Sequence, residues 1–234
     1  MSTAVRPPVR PSRSPRSMVL PVALLAAAVP LVACSPSTPG EQTVTSGDDA
    51  ACRYDPAGQP ARPVDPPSTN DVQTTGETTL TLNMNEGPVT ITMDRSATPC
   101  TAHSFEALAR QGFFDDTQCH RLADSGSFVL QCGDPTGTGR GGPGYRFADE
   151  VTSDMTYPAG AVAMANAGPD TNGSQFFLVF EDTQLPPNYT VFGHLDEASL
   201  GVVARIAVEG QDGSNPDGTG KPNNEARIID VTLA

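Results

Sequence analysis

The chain has 234 residues with 14 basic and 27 acidic side chains, a net charge of −13, and it holds 23 Pro, 22 Gly and no Trp. So acidic a surface argues against nucleic acid and against direct binding to anionic lipid. Five Cys without a C-x-x-C, and three scattered His at 103, 120 and 194, argue against a metal site.

Residues 1–33 are expected to be a signal peptide rather than part of the fold. Arg6, Arg10, Arg13 and Arg16 make a basic start, and residues 18–33 are an uncharged, mostly apolar run, short for a membrane span. The run ends in Leu31-Val32-Ala33-Cys34, which is similar to a bacterial lipobox. That similarity implies cleavage before Cys34 and acylation of its thiol; an ordinary cleaved signal and an uncleaved short anchor are the alternatives. Acyl chains add about 0.8 kcal/mol per buried CH2, so a multiply acylated Cys34 would hold the chain on the extracytoplasmic face of the cell membrane. Without the leader, 10 basic residues stand against 27 acidic ones, a net charge of −17.

Residues 34–78 are rich in Pro, Thr, Ser, Gly and Asp with little apolar periodicity. They read as a disordered, solvated tether behind the lipidated Cys34, with Cys52-Arg53-Tyr54 as the place where a piece of it would dock. Residues 79–234 suffice for one domain with its own core. Thr79–Met84 and Val89–Met93 alternate polar and apolar about Asn85-Glu86-Gly87-Pro88, which predicts a hairpin with one buried face. Thr98 is placed to cap a helix with Pro99 at its first position; Ala102, Phe105, Leu108 and Ala109 form its apolar stripe, and Gly112 ends it. Short strands are expected over 119–122, 128–132, 159–165, 175–179 and 190–194. A second helix is expected over 198–207, carrying Leu200, Val203 and Ile206, and a last strand over 227–233. Many short strands, two helices and long Gly/Pro loops suggest a closed antiparallel barrel. Beyond Cys34 there remain Cys52, Cys100, Cys119 and Cys132, an even number in an exported chain, which predicts one or two disulfides. Three full pairings are open, and a Cys119–Cys132 bridge between neighbouring strands belongs to one of them.

Gly137-Thr138-Gly139-Arg140-Gly141-Gly142 satisfies G-x-G-x-x-G, but no strand–turn–helix unit surrounds it and Pro143-Gly144 follows, so it reads as a shaped loop and not as a dinucleotide site. Asn172-Gly173-Ser174 reads as a tight turn. No nucleophile–base pair is visible, and Asp115-Asp116 falls in a turn, so acid–base and covalent chemistry lack parts. The densest signal is Met164–Phe177, with small residues, amides and two Phe in fourteen positions. It reads as a pocket surface: small residues admit a ligand backbone, amides bind it, and aromatics floor the cavity.

His120-Arg121, Phe128-Val129-Leu130-Gln131, Met164-Ala165-Asn166, Gln175-Phe176-Phe177 and Tyr189-Thr190-Val191-Phe192-Gly193 occur in that order within residues 79–233. Together they resemble the cyclophilin family of peptidyl-prolyl isomerases. The resemblance implies a mostly β fold, the closed eight-stranded antiparallel barrel capped by two α-helices, acting on proline-containing polypeptides without a cofactor. It implies a catalytic set of Arg121, Gln131 and Phe128, in which Arg121 is the electrostatic catalyst and Gln131 orients it. Phe128, Val129, Phe177 and Leu185 would line a proline pocket; Ala165, Asn166 and Gln175 would hold the peptide backbone; Tyr189 would close the rim. For an exported, tethered chain the expected clients are exported, unfolded proteins. A non-catalytic module of the cell envelope that binds Pro-containing segments, or a chaperone acting outside the groove, is the alternative. The sequence departs from better-known members at Val129, where they carry Met, at Leu185 in place of a Trp that contacts cyclosporin, and at Tyr189 in place of a His. Two extra residues also fall in Ala123–Ser127. Leu185 has no indole N–H and less surface than Trp, so cyclosporin binding is expected to be weak.

Overall fold

The computed structural model describes residues 52–234; the leader, the lipobox-like segment with Cys34 and the first part of the tether lie outside them. Eleven strands and two helices follow one another as β1 (Asp55–Pro56), β2 (Glu77–Met84), β3 (Gly87–Asp94), α1 (Pro99–Arg110), β4 (Thr117–Gln118), β5 (Arg121–Ser125), β6 (Ser127–Cys132), β7 (Tyr145–Arg146), β8 (Ala161–Met164), β9 (Phe176–Val179), β10 (Val191–Leu195), α2 (Glu197–Val208) and β11 (Arg227–Leu233). The β2–β3 hairpin forms as its alternation predicts. Leu80, Leu82 and Met84 on one strand and Val89, Ile91 and Met93 on the other are buried, and their neighbours face outward.

Helix α1 buries Ala102, Phe105, Leu108 and Ala109. Thr98 stands at its N-cap position, but its hydroxyl makes no capping bond. The cap comes from Glu150, far along the chain, whose carboxylate accepts the N–H groups of Cys100 and Thr101 at 3.0 and 2.8 Å and the Thr101 hydroxyl at 2.6 Å. A charged acceptor at the positive end of the helix satisfies orphan donors more strongly than a neutral hydroxyl. Helix α2 has a local cap, with Asp196 accepting the Ser199 N–H at 2.7 Å.

Nine strands make one antiparallel sheet in the order β4-β11-β2-β3-β10-β8-β9-β6-β5. The expected eight-stranded closed barrel is therefore corrected to an open, curled sheet of nine. Its two edges, β4 and β5, are consecutive in sequence but do not pair. At the crossing the Cys119 N–H donates to Ala226 beside one edge, and the His120 N–H donates to Gln131 near the other. The outer side of β5 is taken by Gly220, which exchanges both backbone hydrogen bonds with Leu122 at 2.7 and 3.2 Å. Leu122 of β5 thus has its outward backbone groups engaged by Gly220 rather than by β4.

Residues 52–78 correct the tether reading. Cys52 is bonded to Cys100, and Tyr54 is buried with its hydroxyl donating to the Cys100 carbonyl at 2.8 Å. Strand β1 pairs with β7, and Ala57 and Ala61 donate to Gly144 and Gly142 at 2.8 Å. The Arg62 guanidinium gathers the carbonyls of Gly112, Phe113 and Asp115. The segment is a strap laid over the body. Its composition hides this because its Pro-rich backbone packs without any periodic element, and Pro has little conformational freedom to lose on being laid down. The second disulfide, Cys119–Cys132, ties the crossing to the end of β6.

Candidate active site

Directly opposed residues in neighbouring antiparallel strands share a face. Arg121 lies opposite Gln131 and Ala123 opposite Val129. Gln131 in turn faces Phe177, Val129 faces Val179, and Phe177 faces Ala163. One face of β5, β6, β9 and β8 thus carries Arg121 and Gln131 beside an apolar cluster that is separate from the main core. Val129 and Phe177 are nearly buried there, and Ala165, Leu185 and Tyr189 pack partly buried against the cluster. The opposite parity, including Leu122, Leu130, Phe176 and Leu178, fills the main core.

Leu185 and Tyr189 reach the cluster from a loop, and Tyr157 holds that loop in place. Its buried hydroxyl lies 3.1 Å from the carbonyls of Pro186 and Tyr189 and accepts the Tyr189 N–H at 3.0 Å. The Tyr189 ring meets Phe177 edge-on, with centroids 5.6 Å apart. Phe128 is the one expected pocket residue placed elsewhere. It pairs with Asp124 in the regular β5–β6 ladder, so alternation turns it away from Val129, and its ring packs edge-on against Phe180 at 6.0 Å. Adjacent residues of a strand face opposite sides of the sheet, so once Phe128 is inside the ladder it cannot share a face with Val129.

Arg121 is held on three sides. Its Nε donates to Thr219 Oγ1 at 2.9 Å, one Nη to Gln131 Oε1 at 3.3 Å, and the other Nη to Asp217 Oδ2 at 3.1 Å. A guanidinium has five N–H groups, so donors remain beyond these three bonds. The Thr219 hydroxyl and backbone N–H, with a smaller part from Arg121, hold the Asp217 carboxyl down at about 2, so it stays ionised beside the guanidinium. Beside Arg121, His120 is buried; burial first holds its imidazole below the ordinary value, with Asp134 and Gln175 acting against that and Arg121 with it.

A polar relay fixes Gln131. Its amide donates to Gln175 Oε1 at 2.9 Å, and the Gln175 amide donates to the Gly141 carbonyl at 2.9 Å. Gly141 is placed by Asp134, whose buried carboxylate accepts the N–H groups of Thr136, Thr138, Arg140 and Gly141 and the hydroxyls of Thr136 and Thr138. Burial pushes that carboxyl up, but the donors, led by the Thr136 hydroxyl, outweigh it and hold it below its ordinary range. The G-x-G-x-x-G loop therefore cradles an anion, and the anion is the protein's own. Only glycine fits at 141, where a Cβ would come within 2.0 Å of Asp134 Oδ1. Ala165 donates its N–H to the Gln175 carbonyl at 2.9 Å, and the Asn166 amide donates to the Asn188 carbonyl at 2.8 Å. Beyond this relay a groove of about 540 Å³ runs past Gln131, Gln175, Ala165 and Asn166 to Ala57 and Gln59 of the strap.

Residues 79–233 match the family "Cyclophilin type peptidyl-prolyl cis-trans isomerase/CLD". The chain belongs to the cyclophilin family. "Probable peptidyl-prolyl cis-trans isomerase B" of Mycobacterium tuberculosis is 44% identical over 199 residues, covering 79% of this chain and 64% of that protein. The chain thus spans under two thirds of that relative's length. The 79% exceeds the 155 of 234 residues within 79–233, so the similarity reaches into residues before 79. Human "Peptidyl-prolyl cis-trans isomerase-like 1" is 42% identical over 132 residues, covering 54% of this chain and 78% of the relative. Among solved structures, a Cryptosporidium parvum cyclophilin superposes with a TM-score of 0.60 at 30% identity, covering 68% of this chain and 98% of its own. The structure titled as that protein in the presence of the dipeptide Ala-Pro gives 0.57 at 31% identity, covering 67% of this chain and 98% of its own.

Of the residues singled out in this cyclophilin's sequence, Arg121, Gln131, Val129 and Phe177 share one sheet face, Leu185 and Tyr189 pack against its apolar cluster from a loop, and Phe128 lies elsewhere. Sequence reasoning missed Tyr157, Asp217, Thr219 and Asp134. None stands in a periodic pattern, and Asp217 and Thr219 are almost a hundred residues from Arg121. Asp134 carried the one usable signal: an acidic residue just before a Gly/Thr-rich loop, a composition suited to wrapping a carboxylate.

Proposed function

We propose that the chain is a prolyl isomerase that speeds rotation about X-Pro bonds in exported polypeptides. The observation that carries this reading is the joining, on one sheet face, of a held guanidinium to an apolar cluster of Val129, Phe177, Leu185 and Tyr189. Amide rotation has a barrier of about 18–20 kcal/mol, because twisting destroys resonance. No nucleophile or proton carrier is needed to lower it. The proline ring is held in the apolar cluster, and an Arg121 N–H donates to the prolyl nitrogen as its lone pair is freed in the twisted state. Gln131, fixed through Gln175 and Gly141, keeps the fork in one orientation, so no reorganisation is needed when the amide twists. The Ala165 and Asn166 segment holds the residue before the proline.

Attachment through acylated Cys34 to the extracytoplasmic face of the membrane belongs to the same proposal. It rests on the lipobox-like Leu31–Cys34 and is supported by the two disulfides, bonds that persist in oxidising compartments. There, slow X-Pro rotation limits the folding of exported chains.

The test is the cis-to-trans rate of an Ala-Pro test peptide with the purified chain. Catalysed exchange well above the uncatalysed rate is expected; peptide binding with no change in rate would leave only a Pro-segment binding module. Cyclosporin should inhibit poorly, with an inhibition constant in the micromolar range or weaker, because Leu185 offers neither an indole donor nor an indole surface. Titration of the catalysed rate with the drug checks this, and nanomolar inhibition would contradict the pocket as described.

A further inference from the structure

We propose that the groove beside the prolyl pocket selects clients with a carboxylate side chain on the N-terminal side of the proline. This rests on the isomerase reading and names the substrate class of the same site. Arg140 and Arg146 both line the groove, both are exposed, and no Asp or Glu lines it with them. Other arginines are engaged: Arg53, Arg95, Arg110, Arg121 and Arg227 are in ion pairs, and Arg62 and Arg205 donate to backbone carbonyls. Arg140 and Arg146 make no side-chain ion pair or hydrogen bond among the described residues. Arg146 also borders a depression with Asp55, its directly opposed neighbour in the β1–β7 register, and Asp170; the Asp55 carboxylate is taken by Arg53, and Arg146 forms an ion pair with neither. Asp134 lies beneath the loop, yet it is fully buried and its oxygens are occupied by the loop's own donors.

Two cations without an ion pair, at a groove whose own lining holds no carboxylate, make that groove complementary to an acid. The groove continues from Ala165 and Asn166, the segment assigned to the residue before the proline, so the charge it reads lies upstream of that residue. Its far wall, Ala57 and Gln59, is held by β1–β7 pairing and by the Ala57 N–H bond to Gly144. That wall lies outside residues 79–233, in the strap packed onto the cyclophilin body.

The test uses the full chain and three Ala-Pro peptides alike except for Glu, Ala or Lys two residues before the proline. The Glu peptide is expected to show a catalytic efficiency about fivefold above the Lys peptide at low salt, as suits one or two exposed charge contacts. The ratio should fall toward one at about 0.5 M salt, where exposed charges are screened. The Arg140→Glu/Arg146→Glu double variant should reverse the preference. Equal acceleration of all three peptides by the wild type would overturn the charge selection and leave the isomerase standing, whereas no acceleration of any peptide would remove both. A Glu preference kept by the folded double variant would also overturn it. Should that variant fail to fold, the salt dependence of the wild-type ratio still decides.

Discussion

Replacing Arg121 with Ala is expected to lower the catalytic efficiency toward an Ala-Pro peptide by at least tenfold, and by about a hundredfold if the guanidinium acts as one preorganised donor to the twisted amide. Peptide affinity should change only a few-fold, since the ring is held by Val129, Phe177, Leu185 and Tyr189, and these do not depend on Arg121 for their packing. Arg121→Lys should recover little. A single ammonium cannot reproduce the fork that meets Thr219, Gln131 and Asp217 at once. The variant should fold, because the Arg121 side chain is 30% exposed and its partner Asp217 is 57% exposed. Exchange kinetics by NMR and affinity by titration, measured on the same sample, separate the two effects. Equal losses of rate and affinity would move Arg121 from catalysis to ground-state binding.

The Cys52→Ser/Cys100→Ser variant is expected to show a large loss of stability. The bridge joins residues 48 apart, and chain-entropy arguments give such a loop about 4 kcal/mol. For a domain of this size that corresponds to a fall of roughly 8–16 °C in the midpoint of thermal unfolding. The same change should loosen the strap first, since its remaining anchors are backbone hydrogen bonds, Arg62 and the buried Tyr54 and Val72. Limited proteolysis should then cut within residues 55–65 before the body opens. Circular dichroism melts and mapped cleavage sites check both parts. A midpoint unchanged within a degree would mean that the strap holds without its covalent tie.

The hairpin and the two helices were legible because each buries one face on a regular period, as Leu80/Leu82/Met84 and Ala102/Phe105/Leu108 show; the pocket strands carry no such period, and Val129 and Gln131 are legible only through the family resemblance. The strap was not legible, because Cys52, Tyr54, Arg62 and Val72 are isolated anchors within Pro-rich chain and have no period to detect. Closure of the sheet was misjudged for a similar reason. Whether β5 pairs with β4 or with Gly220 depends on a single bridge from a distant loop. Phe128 shows the limit of transferring positions: the motif is intact, but Phe128 lies in the β5–β6 ladder next to Val129, and alternation turns it away from that residue's face. The G-x-G-x-x-G loop wraps Asp134 and so aims the Gly141 carbonyl at Gln175, a use that its sequence motif does not announce.

The central claim is that the proline ring sits on the Val129–Phe177 face, beside Arg121. The most direct test is intermolecular nuclear Overhauser contacts between an Ala-Pro peptide and the chain under conditions of catalysed exchange. The proline ring protons are expected to meet the Val129 methyls and the Phe177 and Tyr189 rings, with no contact to Phe128 or Phe180. Contacts to Phe128 and Phe180, with Phe177 silent, would place the substrate on the other face of the sheet and contradict the account.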